Sequence, residues 1–131
     1  MASLDIRQYR YTKKGSFHIR EFDPADTDGF HDKQEAKARL AGNVQKMAAL
    51  QDRFYAQDRE ALLLIFQAMD SAGKDGAVKH VMSGLNPQGV KVVGFKQPSA
   101  EELDHDYLWR VHKALPGRGE IGIFNRSYYE E

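Results

Sequence analysis

An uninterrupted apolar run, Leu62-Leu63-Leu64-Ile65-Phe66, breaks into the small and polar residues of QAMDSAGKDG, and a helical pattern follows from Ala77. No other stretch constrains the fold as much. Apolar residues in unbroken succession predict a strand, spanning Ala61–Ala68, that is covered on both faces, as in a parallel sheet flanked by helices. A strand that enters a helix through a glycine-containing loop points backbone N–H groups at a phosphate. The helix terminus adds partial positive charge, and Lys74 adds a full one. The spacing fits the phosphate-loop pattern only in part. Gly73-Lys74 is in place, but Ala68 stands where the leading glycine would be, and Asp75 where a magnesium-binding Ser or Thr would be. The pattern alone leaves two readings open: a phosphate site, and a strand that turns into a helix and binds nothing.

Asp70 and Asp75 sharpen the question. Bare carboxylates repel a phosphate, but they fit beside one if a divalent cation lies between, because magnesium takes one or two carboxylates plus substrate phosphate oxygens. The plainer alternative makes Asp70 a turn residue and Asp75 an acidic first-turn residue favoured by the helix dipole.

The chain has 131 residues, enough for one small domain with a core. Nineteen basic residues balance nineteen acidic ones, so any anion site must be a local arrangement rather than a global attraction to nucleic acid or membrane. Cysteine is absent, which removes disulfides and thiolate chemistry. The sequence shows no signal-peptide core and no run of membrane-spanning length. A cytoplasmic protein without membrane or nucleic-acid-polymer partners is expected.

Residues 1–31 read as an N-terminal arm in which Tyr9, Tyr11, Phe17, Phe22 and Phe30 alternate with Arg7, Arg10, Lys13, Lys14 and Arg20. Such interleaving suits single-stranded nucleic acid. It suits better an arm that lays its aromatics on the domain and leaves its charges in water. Residues 32–131 form the domain. Asp32–Gln57 is predicted to be a helix with Leu40, Val44, Met47, Leu50 and Phe54 on its packing face. After the loop, a helix over Ala77–Leu85 buries Val78, Val81, Met82 and Leu85, with Lys79 and His80 near enough to the loop to be weighed as anion contacts or solvated residues. Asn86-Pro87-Gln88-Gly89 is a turn, and Val90–Phe95 a second strand. Ser99 and Glu102 form a capping box that opens a helix to about Ala114, with Leu103, Tyr107, Val111 and Ala114 on one face. His105 and His112 lack a third metal ligand, and Arg110, beside Trp109, could reach an anion. Glu120–Phe124 is a third strand. The order β-α-β-α-β predicts parallel crossovers, with ligands beyond the carboxyl ends of the strands. Asp70, Lys74, Asn125, Arg126 and Glu130 all lie just past such ends.

Several blocks together resemble the type 2 polyphosphate kinases: FDPADT (22–27), QAMDSAGKDG (67–76), GLNPQGVKVVGFKQPSAEELDHDYLWRVH (84–112) and GEIGIFNRSYYEE (119–131). The resemblance covers nearly the whole chain. It implies an α/β, P-loop kinase-like parallel sheet with flanking helices, and Mg²⁺-dependent phosphoryl transfer between inorganic polyphosphate and AMP, ADP or ATP. By match to the family's motifs, Asp70, Lys74 and Arg126 are the catalytic candidates. Ala72, Gly73, Asp75, Gly76, Asn125 and Glu130 join Lys74 and Arg126 in holding phosphate or nucleotide, and Asp70 and Glu131 are candidate metal ligands. Glu131 departs from the aspartate common at that position. The QAMD and YLWRVH forms look most like the class that accepts both AMP and ADP. The family also implies a homo-oligomer. Its members continue well past the FNRSYYE block, so the sequence is expected to be a fold truncated after its third strand, lacking the lid and the C-terminal half. The alternative to an active enzyme is then a piece that only binds nucleotide or polyphosphate, or self-associates.

Overall fold

The computed structural model describes residues 5–12, 17–27, 29–69 and 71–130. The chain divides into two units, Met1–Ala38 and Arg39–Glu131. In the first, 3₁₀ turns span Ile6–Tyr9 and Ile19–Glu21. Asp5 caps the earlier turn by accepting the Arg7 N–H, and its carboxylate also forks with the Arg7 guanidinium at 2.8 and 2.7 Å. The guanidinium holds the Asp5 carboxyl below its usual range. Within this unit Phe17 lies against both Tyr11 and Phe22, with ring centroids 5.1 and 5.4 Å apart.

The second unit is built on a parallel sheet. Strands β1 (Leu62–Phe66), β2 (Val90–Gly94) and β3 (Ile121–Asn125) lie in the order β1-β3-β2. Leu62 and Val90 both pair with Ile121, and Phe66 and Gly94 both pair with Asn125. The helices are α1 (Lys33–Gln57), α2 (Lys74–Met82), α3 (Ala100–Leu103) and α4 (Trp109–Ala114). One sheet face buries Ile121 and Ile123 against Val78 of α2 and Leu85, with Met47, Ala48 and Phe54 of α1 packed around them. The opposite face buries Phe124 and Phe95, edge to face at 4.8 Å, under Ala114 and Val111 of α4.

The α/β class, the parallel pairing and the flanking helices agree with the sequence. Four details differ. The strand expected to be covered on both faces is β1, yet Leu62 is 44% and Ile65 52% exposed, while Ile123 and Phe124 of β3 are 0% and 1% exposed. Neighbours decide this. Among the described strands β1 has one partner and β3 has two, so β3 is the central strand and the open edges belong to β1 and β2.

In α1 the packing stripe runs through Met47, Ala48 and Phe54, and Leu50 is 61% exposed. The buried residue on that stripe is Gln51. Its side-chain amide donates to the Asn86 carbonyl and accepts the Asn86 N–H, both at 2.8 Å, so a polar group is buried without an unmet hydrogen bond.

The single helix expected from Ser99 to Ala114 is two. The capping box is present, with Ser99 Oγ accepting the Glu102 N–H and the Glu102 carboxylate accepting the Ser99 N–H. Asp106 then accepts the Leu108 N–H at 2.9 Å, a local bond that competes with the helical ladder. The chain turns there, and Leu103 and Tyr107 remain exposed.

Arg110 also differs from expectation. It points inward, donating to the Lys96 carbonyl at 2.7 Å and lying 5.1 Å from the Phe95 ring centroid. His105 is likewise engaged locally, through the Glu101 carbonyl at 2.8 Å and by stacking on Trp109.

Candidate functional site

Because β1 and β3 are neighbours with Phe66 opposite Asn125, the segments leaving their carboxyl ends must meet. The first is the β1–α2 loop. Ser71 (φ 65°) and Gly73 (φ 88°) are both left-handed, and Gly73 is the residue from which α2 starts. A side chain at Gly73 would meet open space but a strained backbone. The α2 ladder begins where the Ala77 N–H meets the Gly73 carbonyl at 2.9 Å. The N–H groups of residues 74–76 therefore have no carbonyl to reach inside the helix, and they crown its positive end.

Lys74 is half-buried at this terminus, and its ammonium donates to the Ala68 carbonyl across the loop. The second segment begins at Asn125, whose amide donates to the Asp75 carboxylate and so joins β3 to the first turn of α2. The Asn125 side-chain oxygen is buried and has no hydrogen-bond partner among the described residues. Arg126 follows with φ 76°, and its N–H continues the strand pairing to the Phe66 carbonyl at 3.0 Å.

A cavity of about 210 Å³ lies between the two segments, lined by Met69, residues 71–75, Asn125 and Arg126. This is below the roughly 300 Å³ at which sites for whole small molecules begin, and it suits phosphoryl groups better than a nucleoside. Among the described residues, two cations, Lys74 and Arg126, line it against one carboxylate, Asp75.

Of the residues singled out from the sequence, Ala72, Gly73, Lys74, Asp75, Asn125 and Arg126 all line this one cavity. Gly76 sits in the first turn of α2 beside it. Glu130 ends the 3₁₀ turn Tyr128–Glu130, and its side chain lies outside the described residues, as do Asp70 and Glu131. Lys79 and His80 are exposed in the last turn of α2, away from the loop end. The sequence assigns no role to Gln67 or Ser127, yet the Gln67 amide donates to Ser127 Oγ at 2.6 Å. Their sequence signals are membership of the QAMDSAGKDG and GEIGIFNRSYYEE blocks and position, each directly following a residue at a strand's carboxyl end or its extension.

A profile of the family described as Polyphosphate kinase 2 matches residues 30–131. The "ADP-polyphosphate phosphotransferase" of Rhodopseudomonas palustris is 55% identical over 82% of this chain and 38% of its own length. The "AMP/ADP-polyphosphate phosphotransferase" of Meiothermus ruber is 44% identical over 96% of this chain and 48% of its own. The chain thus spans less than half the length of these relatives. Among solved structures, polyphosphate kinase 2 from Arthrobacter aurescens superposes with a TM-score of 0.82 at 43% identity, covering 91% of this chain and 44% of that one.

Proposed function

The chain belongs to the polyphosphate kinase 2 family, and on that premise we propose that its cavity handles phosphoryl groups in Mg²⁺-dependent transfer between inorganic polyphosphate and AMP or ADP. The observation that carries this reading is the convergence of Lys74 from the β1–α2 loop and Arg126 from the end of β3 on one phosphoryl-sized space. An acceptor phosphate oxygen is already ionised at neutral pH, so the reaction needs little general-base help. It needs in-line placement and relief of the repulsion between two polyanions.

Lys74 supplies relief by exchanging a neutral carbonyl, Ala68, for a phosphate oxygen, a stronger charge-assisted partner. Arg126 offers a fork of donors from the opposite wall. The N–H groups at the start of α2 add fixed dipoles that cost no reorganisation. Asp75 suits a different task. Its carboxylate lines the cavity, already oriented by Asn125, and carboxylate ligands completed by substrate phosphates match the preference of Mg²⁺. Asp70 and Glu131 complete the proposed metal set from the family motif. Bound there, Mg²⁺ neutralises charge on the transferring group. A homo-oligomer in the cytoplasm is part of the same proposal. No helix among the described residues is long and apolar enough to cross a membrane.

The test is ATP formation from ADP, polyphosphate and Mg²⁺, with Lys74→Ala as control. Turnover that vanishes in the variant supports the kinase reading. The coverage of the relatives favours one second reading, in which this length of chain binds without turning over. Melting that rises with added polyphosphate but no ATP formation would identify that case.

A further inference from the structure

The cavity's two walls are tied together by more than the residues that line it. Three successive residues leaving β3 each hold the β1–α2 segment. The Asn125 side chain donates to Asp75, the Arg126 N–H donates to the Phe66 carbonyl at 3.0 Å, and Ser127 Oγ accepts from the Gln67 amide at 2.6 Å. Arg126 lies in the middle of the three in a left-handed conformation, which for a long side chain persists only where the surroundings over-determine it.

The backbone bond to Phe66 fixes the Arg126 nitrogen but not the peptide that follows. One residue on, the Gln67 side chain holds the Ser127 side chain, so Arg126 sits among tethers to two consecutive residues of the β1 exit. Ser127 is 6% exposed, and its oxygen also accepts the Tyr129 N–H at 3.2 Å, which anchors the following turn. Neither Gln67 nor Ser127 lines the cavity. Both are neutral, so they neither repel a polyanion nor compete with Arg126 for it.

We propose that Gln67 and Ser127 are a positioning pair that sets the approach of Arg126 to phosphate without touching the phosphate. This rests on the phosphate reading of the cavity. The experiment measures affinity for Mg²⁺-tripolyphosphate by calorimetry, and hydrogen exchange of the Arg126 amide by NMR. It uses the whole chain, Gln67→Ala, Ser127→Ala, Arg126→Ala, and Gln67→Ala combined with Arg126→Ala. Gln67 is exposed, so its truncation leaves the core intact if the buried Ser127 variant fails to fold.

Loss of one hydrogen bond predicts roughly two- to tenfold weaker binding in Gln67→Ala, with faster exchange at Arg126. In the Arg126→Ala background the same change should have no further effect, because a positioning residue acts only through the group it positions. An unchanged affinity, or a loss that persists undiminished in that background, overturns the proposal. If the whole chain does not bind tripolyphosphate, or Lys74→Ala binds it equally well, the phosphate reading fails separately. The proposal then falls with the reading it rests on, and the exchange rate reports only whether Gln67 holds the Arg126 backbone.

Discussion

Two connections leave the carboxyl edge of the same parallel sheet, and each brings a cation with it. The β1–α2 loop presents Lys74 to a cavity, whereas the segment from β2 through α3 to α4 turns Arg110 onto the Lys96 carbonyl and the Phe95 ring, with the Glu102 carboxylate 3.7 Å away. In sequence both looked able to meet an anion. The difference lies in what each segment packs beside. The β1–α2 loop abuts the segment leaving β3, which brings Arg126 and Asn125 across a gap that neither wall fills. Arg110 instead points at the buried Phe95–Phe124 pair, where an uncommitted charge would be costly and a partnered one packs. A cation becomes a site when the fold leaves space in front of it.

The largest effect that would break this comparison belongs to Lys74. On the proposed kinase function, Lys74→Ala should lower polyphosphate-dependent turnover by about a hundredfold or more, the scale for losing one donor aimed at developing charge. Asp70→Asn should do likewise by the family motif. Arg110→Ala should leave turnover within about twofold while lowering stability by roughly 1–2 kcal/mol in urea melts, from a lost hydrogen bond and ring contact.

A smaller contrast separates two glycines of the loop. Gly73→Ala should cost about 1–2 kcal/mol, because its left-handed backbone penalises any Cβ even in open space. Gly76→Ala, inside the first turn of α2 and also in open space, should be neutral or stabilising by up to about 1 kcal/mol. Equal losses at the two positions would contradict the assigned loop geometry.

The smallest effect is on pH dependence. The Ser99 N–H, aided by Arg110, holds the Glu102 carboxyl below its usual range. Its folded-state value lies under its unfolded one, so its contribution is present above the unfolded carboxyl's range and is lost as pH falls through the folded value. Melting temperatures of the wild type and Glu102→Gln should therefore converge on acidification below about pH 4.

Local patterns in the sequence carried much of this. The apolar run of β1, the glycine loop, the Ser99–Glu102 capping box and the β-α-β-α-β order were all legible, because each is a short-range preference. Strand order was not. That β3 enters between β1 and β2, and so buries Ile123 while leaving Ile65 exposed, depends on non-local pairing. The break at Asp106 and the burial of Gln51 escaped for a related reason, since helical periodicity counts apolar residues and not local or distant hydrogen bonds. At the site, residue types next to Gly73 announced themselves. Gln67 and Ser127 did not, because their meaning arises only once two strand ends lie side by side.

The most direct test of the contrast between the two connections is thermal melting with and without Mg²⁺-tripolyphosphate in the wild type, Lys74→Ala and Arg110→Ala. A ligand that binds only the folded form at a hundred times its Kd stabilises it by about 2.7 kcal/mol. The wild type and Arg110→Ala should show that upward shift, and Lys74→Ala should lose it. A shift retained in Lys74→Ala, or lost only in Arg110→Ala, would place the phosphate site elsewhere and contradict the account.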